Sequence, residues 1–404
     1  MTISIRELQT LTENFNSDPK CSYSLPALVY IKPDFLNIER EAIFYKSWQY
    51  VCHVEQLRHP GDYIAIDIQG RSIVAVRDLA GVLRAFYNVC RHRGHEIVKD
   101  RGQIKNFVCP YHAWNYNLDG TLHSARHLKT IENFHFDDFG MVAVQIEEFC
   151  NMVFVNLDPE ATPLATQSGE LAREIQEAAP DLGKLTHAHR FTYRVKGNWK
   201  IVVDNFLECY HCAVAHKDLT TLLDMRNYQV TTYDIYSSQI GPVSMTSNSN
   251  SAYNVEGASV QEHYLWWLWP NTGLLRYPGD PNWMVWHFIP VDAETTIETF
   301  DFFFQQSTPT AQQMEAIEYI DKVLQQEDID IIESVQRGMN TPAYEKGGRF
   351  VVCSGNDKGE TEQGVHHFHG LYLKAIDRYL QGRSLDQIEQ APSSDPQQTI
   401  GAFS

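Results

Sequence analysis

Nowhere in the 404 residues does an apolar run reach the ~20 residues that a membrane-spanning helix needs. Residues 1–16 carry neither the basic start nor the apolar stretch of a secretory signal, so no signal peptide is expected. Basic residues are also short, with 33 Lys and Arg against 51 Asp and Glu and a net charge of −18 at pH 7. That balance argues against a nucleic-acid partner, which needs a basic footprint. It favours the approach of a cationic ligand, although a solvated acidic surface is the simpler account. Cysteine is sparse: eight residues, at 21, 52, 90, 109, 150, 209, 212 and 353, lie scattered through the chain. They make no disulfide framework and fit a reduced, cytoplasmic setting. Cys209 and Cys212 match Cys-x-x-Cys formally, but no βαβ pattern surrounds them, so a thioredoxin-like role is not expected. Repeats and low-complexity tracts are absent. What remains, 43% hydrophobic and 21% charged, is the composition of an ordinary globular protein long enough for two domains.

The strongest pattern is Cys90-Arg91-His92, sixteen residues, then Cys109-Pro110-Tyr111-His112. Each short loop offers one thiolate and one imidazole. A [2Fe–2S] cluster of the Rieske type needs that mixture, with Cys on one iron and His on the other. Zinc also accepts two Cys and two His in a tetrahedron, but a zinc finger pairs Cys with Cys and His with His. The run Asn88-Val89-Cys90-Arg91-His92-Arg93-Gly94, followed by Cys109-Pro110-Tyr111-His112-Ala113-Trp114, resembles the Rieske domain of the ring-hydroxylating and N-demethylating non-haem iron oxygenases.

Apolar spacing predicts an amphipathic helix over 37–49, then short strands at 61–67, 72–76, 82–86 and 152–157, with a hairpin turn at Asp119-Gly120. A Pro-, Thr- and Ser-rich stretch over 158–169 reads as a boundary. Beyond it come helices at 170–179 and 199–216 and a strand at 191–195. Strands at 227–236, 273–277, 283–291 and 297–305 follow, then helices at 311–335, capped by Gly338, and at 366–381. The tail over 391–404 reads as mobile. The fold class is α+β. The expected domains are an N-terminal segment and helix, 1–46, packing on the catalytic domain, a Rieske domain over 47–158 and a catalytic mononuclear-iron domain over 159–404. The resemblance implies a small all-β cluster domain and a helix-grip catalytic domain, an antiparallel sheet wrapped on a helix.

Glu208, His211 and His216 suggest a second metal. Non-haem iron oxygenases use two His and one carboxylate, leaving coordination positions open. Glu208 and His211 share a helix face, whereas His211 and His216 lie about 140° apart on an ideal helix. They converge only if the helix bulges or ends, so a π-type distortion is expected near 213–215. The remaining carboxylate should lie in the long helix, whose apolar stripe runs Ile317, Ile320, Leu324, Ile331, Val335. Asp328 falls on the stripe and Asp321 near it, while Glu327, Asp330 and Glu333 point away. An acid followed by Val335-Gln336-Arg337-Gly338 matches the family pattern and selects Asp328 by resemblance.

Asn198-Trp199-Lys200, Asp204-Asn205 and Glu208-Cys209-Tyr210-His211-Cys212, closed by His216, resemble the subgroup acting on quaternary ammonium compounds such as carnitine, choline and betaines. In most of the family the residue three before the first iron His is Asp; here it is Glu208. The resemblance implies that Cys90, His92, Cys109 and His112 hold the cluster, and that His211, His216 and Asp328 hold Fe(II). It also implies that Glu208 bridges His211 to His112 of the partner subunit, with Asp204 in a supporting role. A homotrimer follows, together with O₂, a small cationic substrate and an NAD(P)H-dependent flavin/iron–sulfur reductase. An aromatic-ring dioxygenase α subunit and a Rieske electron carrier without oxygenase activity are the alternatives. Tyr264, Trp266, Trp267 and Trp269 alternate in face, so at most one pair lines the site and a core strand is the simpler reading. His366, His367 and His369 read as surface or supporting residues.

Overall fold

The computed structural model describes residues 7, 11–128, 131–244, 250, 252–253, 255–353 and 359–381. The tail expected to be mobile, 391–404, lies outside the described residues. Among the described residues the chain divides into two compact units, one from Phe44 to Gln167 and the other combining those through Ile43 with those from Ser168 onward. No helix among the described residues is long and apolar enough to cross a membrane.

The Phe44–Gln167 unit is almost entirely β. Strands β1 (Gln49–His53), β2 (Asp62–Ile68), β3 (Arg71–Arg77), β4 (Leu83–Tyr87), β5 (Arg101–Gln103), β9 (Ala143–Phe149) and β10 (Met152–Asn156) form one sheet in the order β1-β10-β9-β4-β3-β2-β5. Strands β6 (Phe107–Val108), β7 (Asn115–Tyr116) and β8 (Leu122–Ser124) form a second. β3 is buried on both faces, which is why it reads as a continuous apolar run. Val74 and Val76 pack into a core with Phe86, Phe107, Trp114 and Tyr116, while Ile73 and Ala75 pack with Val51, Leu57 and Val153. The Asp119-Gly120 turn needs its glycine twice over. Gly120 has φ +89°, and an added Cβ would stand 2.4 Å from the Phe86 ring.

In the other unit, α1 (Pro33–Glu39) runs into a π turn at Arg40–Phe44, so the N-terminal helix starts and stops earlier than 37–49. Seven antiparallel strands follow: β11 (Thr186–Val195), β12 (Gln229–Thr232), β13 (Tyr236–Pro242), β14 (Glu262–Leu268), β15 (Thr272–Arg276), β16 (Asn282–Asp292) and β17 (Thr295–Phe304). They are ordered β11-β17-β16-β15-β14-β13-β12. Both faces are covered. α2 (Leu171–Ala178) lies on one, where Glu174 accepts from Trp266 Nε1 at 3.1 Å and Tyr236 O–H at 2.9 Å. α3 (Trp199–Phe206) lies on the other, with the Phe206 ring edge-on to Trp286 at 5.2 Å and Phe288 at 5.4 Å.

Asn198 starts α3 by accepting from Lys200 N–H at 3.0 Å, and its amide donates to the Tyr30 and Ala293 carbonyls at 3.0 and 2.6 Å. Within the first turn, Lys200 is wholly buried and paired with Glu39 at 2.6 Å; Trp199 Nε1 and Tyr372 O–H also donate to that carboxylate. A fully hydrogen-bonded pair is the form in which a buried charge is tolerated.

The expected helix over 199–216 is not continuous. α3 stops at Phe206, an irregular segment carries 207–211, and two short helices follow, α4 (Cys212–Ala215) and α5 (Lys217–Leu222). The long C-terminal helix is interrupted as well: α6 (Ala311–Tyr319), a π turn at Ile320–Leu324, then α7 (Gln325–Met339). Gly338 lies inside α7 and Asn340 caps it, correcting the expected glycine stop. α8 spans Gln363–Gln381.

Candidate metal centres

In the Phe44–Gln167 unit, the two Cys-His loops hang from short strands and fold into similar tight turns. Gly94 N–H donates to the Cys90 carbonyl and Ala113 N–H to the Cys109 carbonyl, both at 3.0 Å. Gly94 and Ala113 both sit at positive φ, 72° and 58°. Cys90 and Cys109 point inward and are each 2% exposed. Burial pushes the Cys90 thiol up, and the Tyr116 hydroxyl, 3.2 Å away, partly offsets this. The imidazoles gather on the outer side. His92 and His112 have ring centroids 4.7 Å apart, and His92 stacks on Trp114 at 4.8 Å. Two thiols inside and two imidazoles at the rim suit a two-iron cluster with one iron in each environment.

In the other unit, His211, His216 and Asp328 offer ligand atoms that all lie within 4.8 Å of one another. His211 Nε2 and His216 Nε2 are 3.2 Å apart, and Asp328 Oδ1 stands 3.0 Å from His216 Nε2 and 3.6 Å from His211 Nε2. Ligands about 2.1 Å from a metal in adjacent positions stand roughly 3.0 Å apart, so the three atoms suit one face of an ion. The far ring nitrogens are both engaged: His211 Nδ1 meets Glu208 Oε1 at 2.5 Å and His216 Nδ1 meets Glu327 Oε2 at 2.8 Å. Donation from Nδ1 to a carboxylate fixes the tautomer and leaves Nε2 for a metal. Burial alone would lower the His216 imidazole, but Asp328 and Glu327 overcome it and lift the group to about 9. The cluster is built to receive positive charge.

No π bulge at 213–215 brings the histidines together. His211 precedes α4, and His216 closes it with φ −109° and ψ 61°, so one short helix with a break at each end re-aims both rings. Glu327 does not point away either; it holds His216. Asn205, to which the sequence attaches no role beyond its place in the Asp204-Asn205 motif, donates its amide to Asp328 Oδ1 at 3.0 Å. Asp204 does not line the cavity at this centre. It accepts from Tyr30 O–H and from His369 Nε2, each at 2.9 Å. His369 is 1% exposed, so it is a buried partner of Asp204 and not a surface residue. Cys209 and Cys212 form a disulfide across the turn that carries His211, with Cα atoms 4.9 Å apart. For this pair alone the expectation of a reduced state does not hold, since the turn itself brings the two thiols together.

A cavity opens beside the three ligands, walled by Phe206, Tyr228, Trp286, Phe300 and leucines from α5 and β14. Neither predicted aromatic pair reaches it. Trp266 faces Glu174 on the opposite side of the sheet, and Trp267 packs on Phe368 of α8 at 5.5 Å.

The family model of the Rieske [2Fe-2S] domain matches residues 47–135, and that of the ring-hydroxylating alpha subunit catalytic domain matches 182–378. The two together define the oxygenase component of a two-centre iron system, with a [2Fe–2S] cluster and a mononuclear iron. The oxygenase subunit of carnitine monooxygenase from Escherichia coli K12 is 38% identical over 367 residues, 91% of this chain and 97% of that protein. Chloroplastic choline monooxygenase from Spinacia oleracea is 31% identical, over 91% of this chain and 82% of its own length. A quaternary ammonium Rieske monooxygenase, whose structure is described in terms of carnitine oxidation by gut microbiota and inter-subunit electron transfer, superposes with a TM-score of 0.83 at 33% identity, over 93% of this chain and 100% of its own. The chain belongs to this family of Rieske non-haem iron monooxygenase oxygenase subunits.

Proposed function

We propose that the chain is the terminal oxygenase that hydroxylates a C–H bond beside the nitrogen of a small quaternary ammonium compound such as carnitine, choline or a betaine. His211, His216 and Asp328 would hold the iron, and Cys90, His92, Cys109 and His112 the cluster. When bound, these groups supply dioxygen activation and one-electron delivery. Each turnover consumes one O₂, two electrons and two protons, placing one oxygen on carbon and releasing the other as water. From a hydroxylated N-methyl group, formaldehyde then leaves while the C–N electron pair stays on nitrogen.

The character of the cavity carries the substrate class. Among the described residues that line it, none is Lys or Arg, while Phe206, Trp286 and Phe300 present aromatic faces and Glu208 and Asp328 present carboxylates. Such a wall attracts a desolvated ammonium ion and offers no cation to an aromatic acid. Electrons would come from an NAD(P)H-dependent flavin/iron–sulfur reductase in the cytoplasm and cross between subunits of a homotrimer through Glu208. The likeness to a relative described by inter-subunit transfer supports that route.

The test is O₂ uptake and formaldehyde release by the protein with a reductase, across carnitine, choline, glycine betaine, stachydrine and a panel of aromatic acids. Coupled turnover of at least one quaternary ammonium compound is expected. Turnover confined to the aromatic acids would overturn the reading.

A further inference from the structure

Most polar side chains lining the cavity outside the metal cluster are already engaged. Tyr228 O–H donates to Gln239, whose amide donates to the Phe206 carbonyl at 2.8 Å, and Gln325 donates to Glu298. Three are not: Trp286 Nε1, His263 Nδ1 and Tyr277 O–H are buried with no hydrogen-bond partner, and all three residues line the cavity. His263 and Tyr277 belong together. β14 pairs Tyr264 with Arg276 of β15, so the next antiparallel position sets His263 opposite Tyr277, on the face that also carries Leu265 and Leu275. The tyrosine is held firmly, because Asn282 ties both its N–H and its C=O, at 3.1 and 2.8 Å, and its ring meets Tyr253 edge-on at 5.4 Å. Leaving two adjacent polar groups unpaired in a buried wall is costly unless a ligand satisfies them.

From this juxtaposition we infer that His263 and Tyr277 bind an anionic end of the substrate, so the preferred substrate is a zwitterion that carries a carboxylate as well as its trimethylammonium group. Since none of the described lining residues is Lys or Arg, a carboxylate entering this cavity is met there by neutral donors, and a phenol beside an imidazole can supply two. Burial holds His263 near 4, so its ring is neutral when the ligand arrives. It then offers one N–H and adds no positive charge to repel the ammonium group.

The inference rests on the quaternary ammonium reading, and the experiment separates the two. Steady-state kinetics would compare γ-butyrobetaine with its methyl ester, which keeps the cation and loses the anion, in the wild type, Tyr277→Phe and His263→Leu. Iron content and cluster absorbance would be recorded for each. In the wild type the ester should have a KM at least about tenfold above that of the carboxylate, the scale of a hydrogen bond to a charged group. Each variant should raise KM for the carboxylate by about tenfold, leave KM for the ester within about twofold and change kcat little. Equal KM values in the wild type, or equal losses on both compounds in the isosteric Tyr277→Phe, would overturn the assignment. A wild type that turns over no trimethylammonium compound would overturn the substrate class itself and the subsite with it.

Discussion

Glu208 and Glu327 do the same local job, each taking the Nδ1 of one histidine of the proposed iron site, yet their surroundings set them apart. Glu327 holds only His216, from the first turn of α7. Glu208 accepts from His211 Nδ1 and from the backbone N–H groups of Tyr210 and His211, so it is fixed by its own loop. Glu327→Ala should therefore behave as the loss of a ligand support, lowering iron affinity by about 10–100-fold, with activity returning at saturating Fe(II). Glu208→Ala should remain inactive at saturating Fe(II), with the cluster still reducible and both metals bound by analysis. Wild-type turnover in Glu208→Ala would remove it from the electron route. If Glu327→Ala were not rescued by iron, its role would extend beyond holding the ring.

At the scale of elements, the interrupted helices explain what could and could not be read from the sequence. Candidate ligands are legible because chemistry restricts them to Cys, His and carboxylate; periodicity leaves Asp321 and Asp328 both open, and the structure brings Asp328 beside His211 and His216. The π turn at Ile320–Leu324 shifts the inward face by one position, so Ile332, Gln336 and Met339 are buried while Val335 is 38% exposed. Glu327 lies off that buried face, with its side chain 37% exposed, and still reaches His216 Nδ1 at 2.8 Å. Asn205 stands out only within the Asp204-Asn205 motif and without a role, and His263 and Tyr277 not at all, because their importance lies in tertiary neighbours that no spacing encodes.

The break after α3 has its own support. Gly364, in the first turn of α8, lies so close to Leu207 that an added Cβ would stand 2.3 Å from the Leu207 carbonyl oxygen. That carbonyl belongs to the residue before Glu208, and backbone cannot step aside as a flexible side chain can. Gly364→Ala should displace the 207–211 segment and cut iron content and turnover together, by about tenfold or more in activity, a 1 Å misplacement being enough for that. An Ala variant with full iron and full turnover would show that the loop is placed by other contacts.

At the scale of the whole molecule, the chain carries both centres in separate compact units, and transfer between subunits makes a prediction that transfer within a chain does not share. On the proposed assignment Asp328→Ala would remove a ligand of the iron and Cys109→Ser a ligand of the cluster, so each variant alone should be inactive. If the chain assembles as the proposed homotrimer, the two, co-expressed with different affinity tags and purified through both, would form mixed trimers in which every chain lacks one working centre. If electrons pass from the cluster of one subunit to the iron of the next around a closed ring, each mixed trimer has one productive neighbour pair, and activity should recover to about one third of the wild type per assembly. If electrons stay within a chain, no chain has both centres and activity should remain at background. Sedimentation mass, iron and acid-labile sulfide measured on the same preparation would show that the mixed assemblies are trimeric and half-loaded as designed. Background activity in such trimers would locate the electron path inside the single chain and remove the bridging role from Glu208.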